Sequence, residues 1–118
     1  MAKKSDIRVK QINNIERLEV MEEKFGVRFE GLNATYELSN IEKYEVHVYG
    51  EMQALNGSGI AEDLRICATI YSSDGTVLGV GSDTVLTDDF FALCPVFVIA
   101  YIGLHHEPVK VRIYPTKR

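Results

Sequence analysis

From Lys43 onward, apolar and polar residues alternate with a period of two, the spacing of β-strands whose successive side chains face opposite sides. In KYEVHVYGEMQAL, Tyr44, Val46, Val48 and Met52 share one face, and Glu45, His47, Tyr49, Glu51 and Gln53 share the other. The first set is expected in the core. The loop NGSGIAED interrupts the pattern, and DLRICATIYSS resumes it, with Leu64, Ile66, Ala68 and Ile70 opposite Arg65, Cys67, Thr69 and Tyr71. After Asp74-Gly75, GTVLGVGSDTVL reads as a third strand, and VKVRIYP as the last, with Val109, Val111 and Ile113 inward.

The Asp74-Gly75 dipeptide predicts a type I′ hairpin turn, because both central positions of that turn need φ > 0. Gly79 and Gly81 lie two apart, hence on one face of their strand, where they admit a close neighbour or mark a bulge. GTVLGVG lacks the helix pattern and the Lys-Ser/Thr pair of a phosphate loop. FFALCPVFVIAYIG is different from the other strands. Phe90, Ala92, Cys94, Val96, Val98, Ala100 and Ile102 alternate with Phe91, Leu93, Pro95, Phe97, Ile99 and Tyr101, so both faces are apolar.

Short alternating runs separated by turn residues, without intervening helices, predict an all-β fold: an immunoglobulin-like antiparallel β-sandwich of about seven strands. Residues 1–118 form a single domain on this reading, with 41–118 as the sandwich core and 1–40 as an N-terminal extension packed on it. Ile7 and Val9 start an edge strand. In NNIERLEVMEEKFG two readings stand side by side. One is a short helix capped by Asn14, with Ile15, Leu18, Met21, Glu22 and Phe25 at helical spacing and Gly26 as its stop; the other is a hairpin into VRFEG.

The order of parts from Tyr44 to Tyr114 resembles the FxLYD domain, an immunoglobulin-like bacterial and archaeal module. The likeness rests on Gly50-Glu51 at a strand end, Asn56 in a polar loop, Tyr71 closing a strand, Asp74-Gly75, and the Val77 to Gly79 strand. Ala68, Ile70 and Ser72 stand where that family places Phe, Leu and Asp. The resemblance implies an interaction or spacer module without an established active site.

Thirteen Lys and Arg against seventeen Asp and Glu give a net charge of −4, with the basic residues scattered. A nucleic-acid partner needs phosphate neutralisation, and an anionic membrane needs a basic patch, so neither is expected. MAKKSDIRVKQ has no apolar run behind its lysines, and Phe90 to Leu104 is shorter than the about twenty residues of a spanning helix. The expected compartment is the cytoplasm, or outside it if a signal peptide has been removed.

Candidate chemistry is sparse. Cys67 and Cys94 are expected as two free, largely buried thiols, and no positive neighbour of Cys94 favours a thiolate. His105, His106 and Glu107, with His47 brought near, are the densest metal-capable set and define the alternative reading, a small zinc-type metal-binding protein or metal-dependent enzyme. Glu62, Asp63, Asp74, Asp83, Asp88 and Asp89 sit in inferred turns and strand ends, where carboxylates bond their own backbone. Asn33-Ala34-Thr35 and Asn56-Gly57-Ser58 satisfy the glycosylation rule, which applies only in a secretory setting. Tyr44, Tyr49, Tyr71, Tyr101 and Tyr114 are candidates for a carbohydrate- or peptide-binding platform.

No nucleophile and base, ligand set or phosphate loop emerges, so the expectation is a non-catalytic, cofactor-free binding or assembly module rather than an enzyme. Its expected interface is the outward row Phe91, Leu93, Phe97, Ile99 and Tyr101, covered by a protein partner or by a second copy in a homodimer or higher oligomer, sheet against sheet. The competing cover is the N-terminal segment, whose Ile15, Leu18 and Phe25 must themselves be buried.

Overall fold

The computed structural model describes residues 9–118. They form an all-β sandwich of two four-stranded sheets. The elements are β1 (Lys10–Gln11), β2 (Asn14–Arg17), α1 (Glu19–Lys24), β3 (Val27–Leu38), β4 (Tyr44–Ala54), β5 (Leu64–Tyr71), β6 (Val77–Val85), β7 (Leu93–Ile102) and β8 (Lys110–Lys117). The first sheet runs β1-β3-β4-β7 and the second β2-β8-β5-β6. All pairings are antiparallel except β2 with β8, which is parallel.

The alternation seen in the sequence fixes which side of each strand turns inward. Val46, Val48 and Met52 of β4 meet Leu64, Ile66, Ala68 and Ile70 of β5 in the core, all at most 1 % exposed. Complete burial of each Val, Leu, Ile or Met side chain among them stabilises the fold by about 1.5–3 kcal/mol. Val111 and Ile113 of β8 join them, but Val109 lies before that strand and is exposed, its amide held by the Tyr71 carbonyl at 2.9 Å.

Several local expectations change. The edge strand expected from Ile7 and Val9 falls partly outside the described residues, and the described pairing begins at Lys10. The stretch from Asn14 follows neither reading as stated: it holds a strand and then a short helix, and the strand makes no hairpin into VRFEG, which lies in the other sheet. Asn14–Arg17 is a strand, paired register for register with Lys110 to Ile113, and α1 follows for only six residues. Asn14 therefore caps nothing. The residue preceding α1 is Leu18, which makes no side-chain cap, and Gly26, at φ +72°, lies just past the helix end. The next twelve residues, β3, are an interior strand of the first sheet, so residues 27–38 are sandwich rather than an added extension.

The β5–β6 turn is not type I′. Asp74 keeps a negative φ and only Gly75 is left-handed, at +88°. The Gly75 amide donates to the Ser72 carbonyl at 3.1 Å and the Ser72 amide to the Thr76 carbonyl at 2.9 Å, giving a three-residue loop that ends in a bulge. The Asp74 carboxylate accepts the Ser72 hydroxyl and, at 3.0 Å, the Thr76 amide. Those bonds, the one from Ser72 foremost, bring its pKa down to about 2.

Gly79 and Gly81 do admit a close neighbour. A Cβ on Gly79 would stand 2.9 Å from the Tyr101 carbonyl oxygen, and one on Gly81 would run into the Ile99 carbonyl. The bare backbone of β6 thus lies against the edge of β7, joining one edge of the second sheet to one edge of the first. Where β6 covers it, β7 has no free edge for another strand.

Candidate functional site

With β6 across its edge, β7 turns Val96, Val98, Ala100 and Ile102 into the core and its other side outward. That outward row stays open: Phe91 is 76 % exposed, Leu93, Phe97 and Tyr101 47 %, and Ile99 37 %. Pro95 continues it. The exposed area is on the order of 400 Å², given the 150–250 Å² of a whole aromatic side chain, and patches of this size on single chains are commonly functional.

The described part of the competing cover does not reach it. Among the described residues, the N-terminal segment packs through β2 and α1 against β8 and β3, at the far side of the fold, and buries Ile12 and half-buries Ile15 and Phe25 there. The segment is pinned by an ion pair that the sequence pattern did not reveal. Glu22, placed by its spacing on the presumed apolar stripe, is 2 % exposed. Its carboxylate accepts Arg17 Nη2 at 2.7 Å, Arg17 Nε at 3.0 Å and the Phe29 amide at 3.2 Å. Both residues line a cleft of about 390 Å³ with Arg28, Glu30 and Leu55. Only the turn between Arg17 and α1, five residues long from charge to charge, brings the two groups face to face; a continuous helix would not.

The row begins at an unusual backbone position. Ala92 has φ +67°, and the Leu93 amide donates to the Phe91 carbonyl at 2.6 Å, which makes a γ-turn about Ala92. A side-chain-bearing residue in this region costs on the order of 1 kcal/mol. The turn is held by the Ala92 amide on the Ser58 carbonyl at 2.6 Å and the Ala54 amide on the Ala92 carbonyl at 2.9 Å. It leaves Phe91 standing in solvent at the head of the row.

Beside the row, the outward residues of β4 are Glu45, His47, Tyr49, Glu51 and Gln53, paired with Tyr101, Ile99, Phe97, Pro95 and Leu93. His47 stands edge-on to Phe97, with ring centroids 5.4 Å apart, and its Nε2 is 3.4 Å from Glu45 Oε2. The Tyr101 hydroxyl donates to Glu45 at 3.3 Å, and Tyr49 receives Asn33 Nδ2 at 2.7 Å. β3, β4 and β7 contain a single Lys or Arg between them, Arg28, which is 3.9 Å from Glu30. Among the described residues Glu37, Glu45 and Glu51 have no Lys or Arg within salt-bridge distance. The face is therefore apolar along β7 and acidic along β4 and β3.

The opposite face, on the second sheet, is charge-matched. Glu16 bridges Lys110 at 3.0 Å and Arg112 at 2.9 Å, and both cations lie 5.3 Å from the Tyr71 ring. The Lys110 contact, then that of Arg112, lowers the Glu16 pKa.

The remaining sequence candidates are dispersed. His105 and His106 are exposed in the loop after β7 and His47 is on β4, and among the described residues no three His, Cys, Asp or Glu side chains gather where a metal could sit. Cys67 and Cys94 are free. Cys67 occupies the outer side of β5 and Cys94 the inner side of β7. Burial raises both thiols, and Asp83 raises Cys94 further. The tyrosines form no common platform: Tyr49 and Tyr101 are on the first sheet, Tyr71 and Tyr114 on the second, and Tyr44 meets Tyr36 edge-on at 5.1 Å. Asp63 serves a turn, its carboxylate accepting the Thr87 amide at 2.8 Å.

Fold and surface together define a β-sandwich with one apolar and acidic sheet face. Among the described residues no helix is long and apolar enough to cross a membrane. Compared with family models, with curated proteins and with solved structures, the chain matches none.

Proposed function

We propose that the protein is a non-catalytic binding module whose docking surface for another protein chain is the outward row of β7. The observation that carries this is the exposure of Leu93, Phe97, Ile99 and Tyr101 along the outward side of β7, with Phe91 exposed just before the strand. Water-exposed rows of this kind lower their free energy on being covered, and proteins are the covers that match a flat sheet face. The γ-turn at Ala92 supports the same reading, since a strained residue kept beside an exposed aromatic suits a recognition surface. The resemblance to FxLYD modules points in the same direction. Two thiols held protonated by burial do not suit covalent catalysis.

A photo-crosslinking residue placed at Phe97, compared with one at the exposed Ser82 on the opposite sheet, tests the proposal in the cell. A discrete adduct, with one other protein or with the chain itself, is expected from position 97 and not from 82. No adduct, or the same adducts from both positions, would remove the reading.

A further inference from the structure

The charge beside the β7 row says what kind of chain covers it. We infer that the occupant is an amphipathic helix whose apolar stripe lies along Leu93 to Tyr101 and whose Lys or Arg residues lie over Glu45, Glu51 and Glu37. This rests on the docking role proposed above.

A standard interface buries about 800 Å² on each side, roughly twice what the apolar row exposes. The occupant must therefore also cover the neighbouring strip of β4 and β3. That strip carries Glu37, Glu45 and Glu51 with no Lys or Arg partner among the described residues, so an occupant without cations would desolvate carboxylates that lack a Lys or Arg counter-charge. On the described residues of this face a second copy is such an occupant. An isologous contact places the same face on itself, and β3, β4 and β7 offer only Arg28, already beside Glu30. Anionic membranes and nucleic acids are repelled by the same carboxylates.

Backbone geometry selects a helix over a strand. β6 lies across the edge of β7 at Ile99 and Tyr101, so an added strand finds no ladder there, and a segment lying on the sheet face must satisfy its own amides. Leu93 to Tyr101 spans eight strand steps, about 26 Å at roughly 3.3 Å each. A helix of about 18 residues, rising about 1.5 Å per residue, matches that length.

The test uses two designed 18-residue helices with one leucine stripe, flanked by lysines in one and by glutamates in the other, titrated into the full chain by calorimetry and by amide chemical shifts. The lysine helix is expected to saturate, to shift amides of β4 and β7, and to bind about tenfold or more weakly to Phe97→Ser. It is expected to lose severalfold in the double variant Glu45→Gln/Glu51→Gln and in high salt, as screening of exposed charges requires. Phe97 is half exposed, so its variant keeps the fold, which circular dichroism checks. Equal binding of both helices, indifference to the Glu45→Gln/Glu51→Gln change, shifts confined to another face, or no binding of the lysine helix would overturn the inference. An oligomer by light scattering that dissociates in Phe97→Glu would also overturn it, by making a second copy the occupant, while leaving the docking role of the row intact. A position-97 crosslink without lysine-helix binding separates the two ideas in the same way.

Discussion

Replacing Gly81 by alanine tests the contact that sets β7 in place. The added methyl would lie 2.9 Å from the Ile99 carbonyl carbon and 3.1 Å from Val98 Cγ1, and would press on the Ile99 carbonyl oxygen. Two of these three atoms are backbone and belong to a strand paired along its whole length with β4, so they cannot swing aside as a side-chain end can. Overpacking of this kind costs about 1–3 kcal/mol, and the gain from removing glycine's freedom in the unfolded chain returns about 0.4–1 kcal/mol. The net expectation is a loss of about 1–2 kcal/mol, or a Tm lower by roughly 3–10 °C for a domain of this size. Gly59→Ala is the matched control: nothing lies within 4 Å of its Cβ position and its φ is not left-handed, so it gains the entropic term alone. Urea unfolding of both variants, with m-values compared, separates the effects. Equal stability of Gly81→Ala and Gly59→Ala would refute the close approach of the two sheet edges, and with it the argument that β6 shields the edge of β7.

Glu22→Ala leaves the Phe29 amide and the Arg17 guanidinium without their acceptor, and a loss of about 2–3 kcal/mol is expected, toned down by the partial exposure of Arg17. A urea midpoint unchanged from wild type would mean that the pair does not pin α1 to β3. Asp74 has its folded pKa depressed to about 2, against about 3.9 unfolded, so its contribution is fully present above pH ~4 and is lost as the pH falls through the folded value. The difference in urea midpoint between wild type and Asp74→Ala should accordingly be constant from pH 7 down to ~4 and shrink toward pH 2. A difference that grows on acidification would contradict the turn geometry.

What the sequence alone determined is what period-two alternation can carry. Val46, Val48, Leu64, Ile66, Ala68, Ile70, Val111 and Ile113 are in the core because a strand's side chains have only two directions, and one of those was apolar. The same rule exposed the surplus on Phe91, Leu93, Phe97, Ile99 and Tyr101, since a two-layer sandwich buries only one side of each strand. Where the pattern had no fixed period, the tertiary structure decided. Asn14–Arg17 became a strand because β8 offered its edge, and Glu22 could be buried in α1 because Arg17, brought round by the chain reversal at Leu18, supplied its counter-charge. The Asp74-Gly75 turn took a three-residue form because the Asp74 carboxylate found the Ser72 hydroxyl and the Thr76 amide, bonds that a dipeptide rule does not weigh. The acidic character of the β7 surface was equally illegible in one dimension. Glu37, Glu45 and Glu51 are distant from Phe97 along the chain or belong to another strand, and only the register of β3, β4 and β7 sets them beside the apolar row.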